Sequence, residues 1–113
     1  MNPPIWLDFL PAAVTVCDAE GIIIYMNPAA EQLLSNHGGR ALLGTNLFDC
    51  HPAGAQEKIK SLISGRKSNA YTVEKAGSKR LVYQAPWYKN GEYAGLLEIS
   101  FDIPPALPNF VRG

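Results

Sequence analysis

Apolar and polar positions alternate in two blocks of this chain, with a helical spacing between them. The first block is Ala13 to Leu34, AVTVCDAEGIIIYMNPAAEQLL. Val14, Val16 and the Ile22-Ile23-Ile24 run are β-branched, which suits a pleated, half-buried surface. Between them Asp18-Ala19-Glu20-Gly21 is a turn-type cluster, and Gly21 can take a positive φ without steric cost. The pattern predicts a β-hairpin. Asn27-Pro28 stops its second strand and starts a helix, because an asparagine oxygen can cap and proline fits the first helical position. Ala29 to Leu34 are mostly strong helix formers.

The rest of the chain falls into shorter pieces. Ile5, Trp6, Leu7, Phe9 and Leu10 form an apolar segment ahead of Pro11, read either as a helical turn closing the core or as a dimerisation element. Trp6 and Phe9 could share a face. Ser35 to Arg40 reads as a loop, and Ala41 to Gly44 as a short helical turn. A longer helix is predicted over Ala53 to Ser64, where Ile59, Leu62 and Ile63 make one apolar face. Gly65 is a plausible stop. Ala70 to Lys75, Arg80 to Lys89 and Tyr93 to Ile103 read as strands. Asn90-Gly91 joins the last two as a hairpin turn, and Pro86 marks an edge or a bulge. In the last strand Leu97, Ile99, Phe101 and Ile103 point one way, and Glu98, Ser100 and Asp102 the other. Strands with helices gathered on one face make an α+β domain.

At 113 residues the chain holds one ordinary core. Its formal net charge is zero, which leaves no electrostatic footprint for nucleic acid or an anionic membrane. No apolar run spans a bilayer, and the N-terminus lacks a signal-peptide pattern. Cys17 and Cys50 form no disulfide framework, so the cytoplasm is the expected compartment. The chain reads as a segment of a longer protein.

The run "D-x-x-G, strand, Y-x-N-P-A-A-E, short helix" resembles the opening of PAS domains. Gly44 to Phe48 and the closing N-G-E-x-x-G-strand-D-I resemble later parts of the same family, so the resemblance covers Leu10 to Ile103. It implies a five-stranded antiparallel sheet in the order 2-1-5-4-3. It also implies a flanking segment over 1–11, the domain over 12–103, and a tail or linker over 104–113. The implied role is a sensory, regulatory module that binds a small ligand in an internal cavity and signals to an output domain such as a histidine kinase, a cyclase or a transcription factor. The alternative is a ligand-free dimerisation module. A homodimer is the implied assembly, with Trp6, Phe9, Trp87 and Tyr88 as its contact residues.

The chemistry-bearing residues are few. G-x-S-x-G, Walker, H-E-x-x-H and dinucleotide glycine motifs are all missing, so an enzyme is not expected. In PAS folds the longest helix and the connection before it wall the cavity, which makes Phe48, Cys50, His51, Ile59, Ile63 and, from the sheet, Tyr83 and Leu97 the implied ligand contacts. Gln84, on the opposite face to Tyr83, is a further natural polar contact. His51 either supplies an axial nitrogen to haem, as haem-binding PAS domains do from this region, or caps the helix that follows. Cys50 either carries a reactive thiolate or is inert. Flavin photochemistry is not expected, because Leu47 follows Gly44-Thr45-Asn46 where light-oxygen-voltage domains place the reactive cysteine. Nor is a p-coumarate chromophore: Met26 and Ala30 replace the tyrosine and glutamate of photoactive yellow protein. His37 reads as solvated and Cys17 as a small buried residue.

Overall fold

The computed structural model describes residues 2–47 and 53–113, with the backbone alone at Ala53 and Ala55. Phe48, Cys50 and His51 therefore lie outside the described residues.

Strands β1 (Ala13–Asp18) and β2 (Ile23–Met26) form the early hairpin, and α1 (Pro28–Leu33) follows. Helix α2 (Ala53–Gly65) leads into β3 (Asn69–Lys75), β4 (Ser78–Lys89) and β5 (Glu92–Ile103). All pairings are antiparallel, in the order β2-β1-β5-β4-β3. The last strand thus lies beside the first, which closes both ends of the chain into one sheet. β4 extends beyond the end of β3, so Pro86 sits where β5 is its only strand partner and its missing N–H breaks no ladder. The register of the β4–β5 pair shifts next to it, between Trp87 and Tyr88.

Asn27 ties the early elements together. It is fully buried, and its Oδ1 accepts from the Ala30 N–H at 3.0 Å, capping α1, and from the Val14 N–H of β1 at 2.9 Å. Its Nδ2 donates to the carbonyls of Ala12 and Leu7. The Leu7 contact anchors the N-terminal segment, a single 3-10 turn at Ile5–Asp8 that buries none of its own side chains. The stretch read as a loop from Ser35 to Arg40 holds a 3-10 turn at Ser35–His37, and a second 3-10 turn, Gly39–Leu42, overlaps the helical turn read at Ala41 to Gly44; the two hinge at Gly38 with φ +110. Local i to i+3 bonds satisfy backbone groups that an open loop would leave to water.

The core has two centres. Ala13, Ile23, Met26 and Ala30 cluster between the first hairpin and α1, and Cys17, Leu62 and Leu96 cluster between the sheet and α2. Burying side chains such as Leu62 and Leu96 contributes about 1.5–3 kcal/mol each. Helix α2 is seated by Ile59 and Leu62, and near its end the Arg66 guanidinium lies 4.8 Å over the Tyr93 ring.

Candidate functional site

Strand alternation decides which side chains meet the helices. The register pairs Cys17 with Leu96, Thr15 with Glu98 and Gln84 with Glu98. Cys17 and Leu96 pack against Leu62 of α2, so Thr15, Gln84 and Glu98 share that inner face. The opposite face carries Val14, Val16, Ile99, Phe101, Leu81 and Tyr83. The sheet therefore turns its more polar row toward the helices.

Between sheet and helices lies a cavity of about 190 Å3. Ile23, Leu34, Leu42, Leu47 and Ile59 give it an apolar wall, and Cys17, Leu96 and Leu97 contribute sheet positions. Its polar side is Thr15, Gln84 and Glu98, with the exposed His37 also in the lining. The polar groups are organised. Asn69 Nδ2 donates to Gln84 Oε1 at 3.1 Å, and Gln84 Nε2 donates to Glu98 Oε1 at 2.9 Å. This line of hydrogen bonds runs across β3, β4 and β5 and fixes the Glu98 carboxylate. Further along the same face the Arg80 guanidinium is already engaged. It donates to Ser100 Oγ at 2.8 Å, to the Ser100 carbonyl at 3.1 Å and to Asp102 Oδ1 at 2.8 Å.

Burial pushes the Cys17 thiol up from its ordinary pKa, so it stays protonated at neutral pH and acts as a small apolar wall. Burial also raises the Tyr71 phenol, with the nearby Glu98 charge adding to the shift. The Cys17 backbone faces the other way in effect: its carbonyl accepts from Trp87 Nε1 at 2.9 Å. Trp87 is paired with Gly95, and its indole spans β5 there to reach β1. Gly95 permits the close approach of strands, since a Cβ at that position would overlap the Cys17 carbonyl. One residue thus touches the cavity with its side chain and the outer surface with its backbone.

The sequence-derived contacts divide accordingly. Ile59 is in the lining, and Leu97 borders it only as a strand position, since its parity with Ile99 and Phe101 puts its side chain on the outer face. Ile63 instead packs beside the Cys17–Leu62–Leu96 cluster. Tyr83 is a correction: alternation from Gln84 sends it to the outer face, where it is 40% exposed. Trp6 and Phe9 are 59% and 80% exposed, Tyr88 is exposed, and Trp87 is half-buried. Glu98, Thr15 and Asn69 were not singled out in sequence, because a regular Asn-Gly hairpin would pair Tyr83 with Glu98 and Gln84 with Leu97, and only the register shift between Trp87 and Tyr88 brings Gln84 opposite Glu98. Among the described residues no group of three or more His, Cys, Asp or Glu could hold a metal ion. No helix among them is long and apolar enough to cross a membrane.

The chain belongs to the PAS-fold family, whose model matches residues 7–104. Solved structures agree on the architecture. The C-terminal domain of a Streptococcus mutans protein superposes with a TM-score of 0.69 at 26% identity, covering 88% of this chain and 81% of that one. A PAS domain from Colwellia psychrerythraea gives 0.64 at 23% identity, covering 87% and 91%. The Aer2 receptor from Vibrio cholerae, described as a dual PAS-haem oxygen sensor, gives 0.62 at 21% identity, covering 82% and 95%. The last two likenesses speak for the fold alone. No curated protein matches the chain.

Proposed function

We propose that this domain is a sensory module that holds a compact organic molecule in the cavity and passes its presence through the sheet to an output domain. The observation that carries the reading is the cavity itself, which combines an apolar wall with a hydrogen-bonded polar side. Such a combination suits a small ligand that needs both burial and orientation. The relay would run through Cys17, whose carbonyl is bonded to Trp87 on the far side of the sheet. The role is regulatory and not catalytic, in a cytoplasmic homodimer, with a kinase, cyclase or transcription factor as the output partner.

Haem fits the described residues poorly. A cavity of about 190 Å3 is small for a tetrapyrrole, and its lining offers no lysine or arginine for the propionates among the described residues. The suggested iron ligand, His51, lies outside those residues. A compact ligand is the better reading.

A second reading, a dimerisation module, is favoured by the apolar side chains of the N-terminal turn, Ile5, Trp6 and Phe9, which stand in solvent. Native mass spectrometry and absorbance of the purified full-length protein separate the two. A small-molecule mass released on denaturation, without a Soret band, supports the sensor. A bare dimer with no adduct supports the second reading.

A further inference from the structure

We propose that the cavity selects a molecule with an ammonium head and a compact apolar body, and that Glu98 is the residue that reads the head. This rests on the reading of the cavity as a ligand site. Glu98 is the one carboxylate in the described lining, and no lysine or arginine accompanies it. Arg80, on the same face, already spends its N–H groups on Ser100 and Asp102. Within the cavity the Glu98 charge therefore has no lysine or arginine counterion among the described residues, and the one imidazole of the described lining, His37, is solvent-exposed.

The carboxylate is positioned but not saturated. Gln84 donates to Oε1 and is itself oriented by Asn69. No described residue donates to Oε2, so an acceptor is left for an incoming N–H. The neighbouring polar groups, Thr15 across the strand pair and Gln84, are neutral. An anionic head would meet a like charge in a partly desolvated site, and a neutral head would leave the carboxylate without its strongest partner. A charged donor satisfies both. The size of the body follows from the volume: a cavity of about 150 Å3 takes benzene, and this one is somewhat larger. Leu34, Leu42 and Ile59 supply the apolar contacts for a ring of that size.

The test is calorimetric titration of the whole chain with three probes of similar body: phenethylamine, phenethyl alcohol and 3-phenylpropanoate. The ammonium probe is expected to bind tighter than the alcohol by about tenfold or more, as a charged hydrogen bond implies, with the carboxylate weakest. Glu98→Gln should remove that preference and leave the alcohol's affinity in place. Glu98→Asp, which keeps the charge, should preserve the order and covers the case in which the glutamine variant fails to fold. Equal affinities in the native chain, or tighter binding of 3-phenylpropanoate, overturn the assignment to Glu98 while leaving a ligand cavity intact. Failure of all three probes to bind overturns the cavity reading as well.

Discussion

Asn27 accepts the backbone N–H of Val14 at 2.9 Å while the same oxygen caps α1 through Ala30. One amide thereby fixes the spacing between β1 and α1. Asn27→Ala would strand a buried N–H of β1, a helix cap and two carbonyls together. The expected loss is about 2–4 kcal/mol, read as a lower urea midpoint at unchanged slope. Asn27→Asp should not rescue it, because the side that donates to Leu7 and Ala12 would then face two carbonyls with a carboxylate oxygen.

Gly95 separates steric demand from mere turn preference. A Cβ there would overlap the Cys17 carbonyl, and φ is +148. Gly95→Ala is expected to cost about 3 kcal/mol or more. Gly91 also has positive φ, at +81, but an added Cβ meets nothing within 4 Å. Gly91→Ala should cost about 1–2 kcal/mol. Equal costs at the two positions in denaturant melts would contradict the close β1–β5 approach.

Cys17 ties the cavity wall to alkaline stability. Because burial raises its folded pKa, the folded chain keeps a proton that the unfolded chain releases. The stabilisation is complete below the unfolded thiol's pKa of about 8.5 and declines as pH rises beyond it. Urea midpoints should fall from about pH 8 upward, and Cys17→Ala should flatten that fall below the range where the raised tyrosines Tyr25, Tyr71 and Tyr93 add a decline of the same sign. In native protein, peptide mapping after iodoacetamide should find Cys17 unmodified.

Trp87 offers an optical view of the relay. Its indole N–H is held by the Cys17 carbonyl, directly behind the cavity wall. In a Trp6→Phe background, which removes the exposed second indole, ligand entry should shift the Trp87 emission. Trp87→Phe should leave ligand affinity within about twofold, since the indole is not in the lining. An emission spectrum that does not move at saturating ligand would remove Cys17 and Trp87 from the relay.

The hairpin, the Asn27 cap, α2 and the three late strands were legible because each rests on local chemistry: β-branched runs, a capping asparagine before a proline, an i, i+3, i+4 apolar face and an Asn-Gly turn. Strand order followed from resemblance, not from local pattern, because nothing in β1 or β5 alone dictates that they pair. The cavity was harder to read. The apolar row of Leu97, Ile99 and Phe101 is the obvious candidate for the interior, yet register sends Glu98 and Ser100 inward with Gln84 and sends Tyr83 out. Hydrophobicity marks a buried row only where one face of a sheet is solvated. Here Val14 and Val16 on the outer face are buried as well, so both faces of β1 carry apolar side chains. The 3-10 turn at Ser35–His37 escaped, and the one at Gly39–Leu42 was read two residues late, because their junction depends on a positive φ at Gly38 that glycine permits without demanding.

The central claim is that the space between sheet and helices is a ligand site. It is tested most directly by mapping amide chemical shifts in 15N-labelled protein during titration with a neutral probe, benzyl alcohol. Saturable shifts are expected at Thr15, Cys17, Ile59 and Glu98, with Trp87 following through its bond to Cys17. Shifts confined to the outer-face residues Tyr83 and Phe101, or absent throughout, would contradict it.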